Sequence, residues 1–124
     1  MIDFATGSVF KLGEINPAEV AGELQPILVP NERVLVAAKT VRDFVAFTDK
    51  RIIAMNAQGM TGKKKDFTSL PYSKIQAFSI ETAGTFDLDA ELDLFFSGLG
   101  KVRFEFKGKS NIHYIGQLIA NYVL

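Results

Sequence analysis

Two neighbouring stretches of the chain alternate apolar and charged residues with a period of two. In DLDAELDLFF, Asp87, Asp89, Glu91 and Asp93 alternate with Leu88, Ala90, Leu92 and Leu94, and after the short connection SGLGK, Lys101, Arg103 and Lys107 alternate with Val102, Phe104 and Phe106. Side chains two apart on a strand share a face, so the pattern predicts a hairpin with one apolar and one charged face. The apolar faces must coincide, which makes the acids and bases cross-strand neighbours on the outer face. Phe95 breaks the outer pattern, and both its own loops and another subunit are open as its cover.

Upstream, short runs rich in Val, Ile, Phe and Thr are interrupted by turn residues, the texture of an antiparallel sheet. They predict strands at about Arg33–Thr40, Asp43–Phe47, Arg51–Asn56, Lys64–Leu70 and Ile75–Thr82, which with Leu88–Phe96 and Lys101–Lys107 makes seven. Two segments switch to helical spacing. In NPAEVAGEL, Asn16 suits a cap, Pro17 a first helical position and Glu19 a capping box, and Pro26 stops the helix near Gln25. In the last segment Ile112, Ile115, Leu118, Ile119, Tyr122 and Val123 form an apolar stripe behind a cap at Ser110 or Asn111. Seven strands and a closing helix predict a mainly β fold, a bent sheet or partly open barrel with the helix over one end.

Composition acts mostly by exclusion. The 124 residues suit one core, with no linker or repeat dividing them. With 14 Lys and Arg against 14 Asp and Glu, no extended nucleic-acid footprint is expected. The absence of cysteine removes disulfides, thiolate metal sites and cysteine nucleophiles. No apolar run approaches the ~20 residues of a spanning helix. The start MIDFATGSVFKLGE does not read as a secretory signal, so a cytoplasmic location is the expectation.

The stretch QGMTGKKKDF, Gln58 to Phe67, is the candidate for anion chemistry. A Walker-type phosphate loop needs G-x-x-x-x-G-K-[ST] between a strand and a helix, whereas Gly59 lies three residues before Gly62, Lys63 is followed by Lys64, and a strand follows. Contact of Lys63, Lys64 and Lys65 with an anionic membrane surface survives as a less favoured alternative, since an extended chain sends Lys64 to the side opposite Lys63 and Lys65, and Asp66 offsets some charge. A glycine turn with solvating lysines is the simpler reading. The carboxylates of residues 87–93 are spread along a strand rather than converging on a point, so no metal site is assigned. His113 is the single histidine, placed near the start of the last helix, and no nucleophile motif accompanies the serines. The chain reads as a non-enzyme without a cofactor.

The spaced motifs RD (Arg42, Asp43), FTDKR (Phe47 to Arg51), QGMTGKK (Gln58 to Lys64), LPYSKI (Leu70 to Ile75) and ETAGTFDLDAEL (Glu81 to Leu92) resemble the bacterial pleckstrin-homology-like domain family, first catalogued as a domain of unknown function. With weaker flanks the resemblance spans nearly the whole chain. Asn56 departs from it, standing where an acidic residue is expected. The resemblance implies two nearly orthogonal antiparallel sheets of seven strands, closed by the carboxy-terminal helix, over residues 32–124. Residues 1–31 are then an added amino-terminal helical extension packed on the same domain.

The family is also associated with ring-like homo-oligomers, pentamers in particular, and with no established catalysis. The expectation is thus a non-catalytic, self-assembling scaffold for an unidentified protein partner, with Phe95, Phe4 and Phe10 as candidate subunit contacts. Eukaryotic phosphoinositide-binding relatives hold the headgroup with several bases around the first hairpin. Here KTVRDF offers Lys39 and Arg42 beside Asp43, so lipid binding does not carry over.

Overall fold

The structure, a computed structural model, describes residues 1, 2, 4, 9–108 and 110–124, and the side chains of Val9 and Phe10 lie outside the described set. The apolar runs form β1 (Val9–Ile15), β2 (Val34–Lys39), β3 (Phe44–Thr48), β4 (Arg51–Gln58), β5 (Lys64–Pro71), β6 (Ile75–Glu81), β7 (Ala90–Phe96) and β8 (Gly100–Phe106). The helices are α1 (Ala18–Leu24) and α2 (Ile112–Val123), and a 3-10 turn, Tyr72–Lys74, joins β5 to β6. β2 to β8 are the seven strands that the periodicity predicts. β1 is an eighth, and it corrects the count: the segment before Glu32 supplies a strand as well as the expected short helix.

The sheet runs in the order β5-β4-β3-β2-β1-β8-β7-β6. All neighbours are antiparallel except β1 and β8, which pair in parallel. β1 therefore joins a β2–β5 half to a β6–β8 half, and the sheet stays open, with β5 and β6 as its edges. No helix among the described residues is long and apolar enough to cross a membrane.

Strand alternation sends one set of side chains inward, where Phe47, Phe104 and Phe106 pack at ring-centroid distances of 6.4 and 6.5 Å. α2 closes this core with Ile112, Ile115, Leu118 and Ile119. Asn111 caps the helix, its side chain accepting from the Tyr114 amide at 3.1 Å. Gly116 lets α2 approach β6 closely, because a Cβ there would lie 3.1 Å from Ile80 Cδ1.

A second core lies on the opposite face of the β2–β5 half. Val20 and Leu24 of α1 pack against Phe44, Ala46, Ile53 and Met55. This double cover explains why β3 is buried at every position and reads as a continuous apolar run. β7 alternates instead because its outer face has no such helix among the described residues. Asn16 starts α1 by accepting from the Ala18 amide at 2.9 Å, while Glu19 faces Lys39 at 3.4 Å instead of closing a capping box.

Candidate functional site

The motif residues first occupy one another. Arg42, in the β2–β3 turn, donates from Nη2 to the Gly59 carbonyl in the β4–β5 turn. Asp43 accepts from the Ala57 amide at 2.9 Å and from Asn56 Nδ2 at 3.1 Å. A second carboxylate at position 56 would face Asp43, so the amide there turns a repulsion into a hydrogen bond. Gly59 and Gly62 both hold positive φ, 74° and 67°, the backbone freedom this turn requires. The RD and QGMTG motifs are thus two halves of one latch between turns.

FTDKR enters a second internal network. Glu32, whose side chain is fully buried, accepts from Arg51 Nη2 at 2.9 Å, Arg51 Nε at 3.0 Å, the Thr48 hydroxyl at 2.6 Å and the Val29 amide at 3.1 Å. Burial alone would raise the Glu32 pKa, but the Arg51, Thr48 and Val29 hydrogen bonds outweigh it and hold the carboxyl below its ordinary value. Arg51 also donates to the Ile27 carbonyl at 2.9 Å and to Ser69 at 3.0 Å. Tyr72, from LPYSKI, donates to the Thr48 carbonyl at 2.7 Å and stacks on Tyr122 at 5.0 Å. Every buried side-chain polar atom among the described residues has a hydrogen-bond partner.

The three lysines of the candidate turn separate. Lys65 reaches Glu23 of α1 at 2.7 Å, and together with the Lys39–Glu19 pair it crosses an open groove of ≈ 350 Å³ between α1 and the turns. Asp66 turns instead to the Met1 amino group, at 2.6 Å, and to Thr68 at 3.1 Å. Lys63 and Lys64 stay exposed and have no acidic partner among the described residues. Beside them, Met60 and Val41 sit fully exposed at adjacent turn tips.

The outer face of the β6–β8 half forms a three-by-three grid. Its rows in register are Ala77, Phe95, Lys101; then Ser79, Asp93, Arg103; then Glu81, Glu91, Glu105. Arg103 grips Asp93 at 2.8 and 3.0 Å and lies 3.5 Å from Glu91. The Arg103 hydrogen bond holds the Asp93 carboxyl below its ordinary value. Glu91 and Glu105 go the other way: burial raises both, with Glu81 adding to the first and Asp89 to the second. The expected matching of acids with bases holds in register for Asp93 with Arg103, while Glu91 reaches the same arginine only from the neighbouring row because its register partner is Glu105. The missed residue is Glu105, which takes a position between Arg103 and Lys107 in the basic series.

Phe95 is 46% exposed on this grid, between Ala77 and Lys101, and no element among the described residues closes over it. Phe4 differs from its place among the candidate contacts: it is buried inside this chain, edge-on to Phe104 at 6.3 Å, so it belongs to the core. The Phe10 side chain lies outside the described residues. His113 is exposed in the first turn of α2. Among the described residues no group of His, Cys, Asp and Glu is arranged to hold a metal ion.

Comparison with known proteins agrees with this architecture. The chain matches the bacterial PH domain family over residues 3–123. An uncharacterized Bacillus subtilis (strain 168) protein, YjqA, is 44% identical over 119 residues, which cover 94% of this chain and 95% of that protein. The crystal structure of a DUF1696 family protein with a pleckstrin-homology domain, from Shewanella loihica PV-4, is 43% identical and superposes with a TM-score of 0.81 over 95% of this chain and all (100%) of the other. A pleckstrin homology domain from Shewanella amazonensis SB2B, also 43% identical, superposes with a TM-score of 0.69 over 97% of this chain and 95% of its own. With the family model matched over nearly its whole length and a relative 44% identical across 95% of that protein, this chain belongs to the bacterial PH domain family.

Proposed function

We propose that this chain is a non-catalytic, cytoplasmic PH-like module that assembles with copies of itself into a ring and offers a surface to a protein partner. The observation that carries the reading is the outer face of the β6–β8 half, uncovered among the described residues, where Phe95 is 46% exposed while the corresponding face of the other half packs against α1. Five subunits is the number that the sequence resemblance implies. The family signatures favour a structural over a catalytic reading, because Arg42, Asp43, Thr48 and Arg51 are committed to contacts within the chain. Light scattering across a wide concentration range tests assembly; a strict monomer throughout removes it.

The second reading is contact with an anionic bilayer through the β4–β5 turn, with Lys63 and Lys64, which have no acidic partner among the described residues, as its charges. Exposed Met60 and Val41 beside those lysines support it, since apolar tips flanked by bases suit an interface of headgroups and acyl chains. Sedimentation with anionic vesicles at low salt tests it; no binding, or binding that survives replacement of both lysines by glutamine, counts against it.

A further inference from the structure

The open sheet has two edges, β5 and β6, and they differ in how they are protected. Natural edge strands are blunted by charge, proline or a covering segment, because a flat uncharged edge is a template for another strand. β5 has all three: Lys64 and Lys65 at its start, Pro71 at its end, and the Ile2 amide donating to Thr68 Oγ1 at 3.3 Å. Among the described residues β6 has none of them over positions 75–80, its charge being confined to Glu81 at the last position. Its register shift falls at the start, between Ile75 and Ala77, so residues 77–81 are left as regular strand. Among the described residues no turn, cap or side-chain hydrogen bond reaches the backbone of residues 76–81 from beyond the sheet. The outward half of its N–H and C=O groups therefore faces solvent unpaired.

We propose that β6 is a docking edge, to which an extended segment of a partner protein adds as a ninth, antiparallel strand with a basic residue opposite Glu81 and an aromatic residue opposite Ala77. The inference rests on the partner-binding half of the reading above, not on assembly, and names the surface and the chemistry of its partner. Backbone pairing supplies the attachment, and the side chains of β6 supply the selectivity. Glu81 begins the outer row that continues through Glu91 and Glu105. Arg103 reaches Glu91 at 3.5 Å, whereas Glu81 makes no ion pair among the described residues. A Lys or Arg on the added strand stands directly opposite it, the arrangement that relieves a row of like charges. Exposed Ser79 takes a short polar side chain. Ala77 has exposed Phe95 beside it, with Lys101 on the far side of the ring. An aromatic opposite Ala77 lies two strand spacings from Phe95, about 10 Å, and leans across the alanine methyl to meet it. On the inner face Phe78 and Ile80 are half-buried, and Gly116 brings α2 against Ile80, so inward side chains of the added strand enter an apolar corner between β6 and α2. Read along its own direction, the partner segment is basic, apolar, polar, apolar, aromatic.

The probe is a synthetic peptide with the core Lys-Val-Thr-Val-Phe between glycine and serine flanks, titrated with the full chain by fluorescence anisotropy. Two further peptides carry N-methyl groups on alternate amides, one set for each edge of the strand. Expected is saturable binding that one methylated peptide loses and the other keeps, because strand addition uses a single edge of the peptide. Amide hydrogen exchange should slow at residues 76–81 and stay unchanged in β5. Glu81→Lys should weaken binding about fivefold, and a peptide with glutamate in place of lysine should recover it. Absence of binding, like behaviour of the two methylated peptides, protection in β5 in place of β6, or an affinity indifferent to Glu81→Lys overturns the proposal. Oligomeric mass is read on the same samples by light scattering. A parent that assembles without binding the peptide keeps the assembly reading and loses strand addition, and a monomer that binds it does the reverse. A peptide that binds only as the assembled mass falls also overturns the proposal, assigning the edge to a second copy.

Discussion

Glu32 and Arg51 meet at two points, Nη2 to Oε1 at 2.9 Å and Nε to Oε2 at 3.0 Å, with the glutamate side chain wholly removed from water. The pair ties the segment after α1 to the start of β4, and with Ser69 it reaches β5. Removing only the cation would strand a buried carboxylate, which costs about 3–5 kcal/mol. Arg51→Ala should therefore lower stability by that order in urea unfolding, well beyond the loss from Arg33→Ala, whose partner Asp49 lies 3.9 Å away at an exposed site.

Acid should attack the same contact. Because Glu32 in the folded chain titrates below its ordinary value of 4.5, its contribution is fully present above that value and is lost as pH falls through the lower folded value. The stability of Glu32→Gln should start lower at neutral pH and fall less steeply below pH 4.5 than the parent's. Urea midpoints measured across that acid window check this; parallel curves for the two proteins would contradict it.

The glutamate row predicts the reverse. Burial and Asp89 raise the Glu105 carboxyl, so its stabilising effect is complete below the ordinary 4.5 and disappears as pH climbs through the raised folded value. Glu105→Gln should gain about 0.5 kcal/mol near neutral pH and nothing in acid. Thermal unfolding in dilute solution, compared between neutral and acidic buffer, reads the difference.

Gly108 tests the long β6–β7 connection. A Cβ at this position would fall 2.5 Å from the Leu88 carbonyl oxygen, and a backbone atom cannot swing aside as a side-chain end can. Gly108→Ala should cost about 1–3 kcal/mol and raise proteolysis within residues 82–89. Gly22→Ala, with nothing within 4 Å of the added carbon, should be neutral or mildly stabilising.

Apolar runs and alternation located β2 to β8, the apolar stripe located α2, and the cap and proline signals around residues 16–26 located the short α1. β1 escaped for physical reasons. Lys11 adopts a positive φ of 54°, the register with β8 shifts between Val9 and Leu12, and fully buried Leu12 is the residue that anchors it in the core. Such a strand is specified by its neighbours rather than by its own alternation. The β4–β5 turn was legible as a turn, but the destination of Arg42 and the Lys65–Glu23 pair depend on segments far away in sequence. Glu105 was visible in the sequence and was masked by the bases around it, while burial of Phe4 could not be read from an isolated aromatic in a polar stretch.

The parallel pairing of β1 with β8 has a bearing on how the molecule is made. The strand that comes first in the sequence pairs on one side with β2, the next strand, but its other partner is β8, the last of the eight. Contacts that span so much chain pay their loop-closure entropy before any packing rewards it. During synthesis residues 13–15 can pair with β2 early, whereas the pairing of Val9 and Leu12 must wait until β8 has emerged. Joining the two halves of the sheet is accordingly the long-range step of this topology, closed only by the last strand to be made.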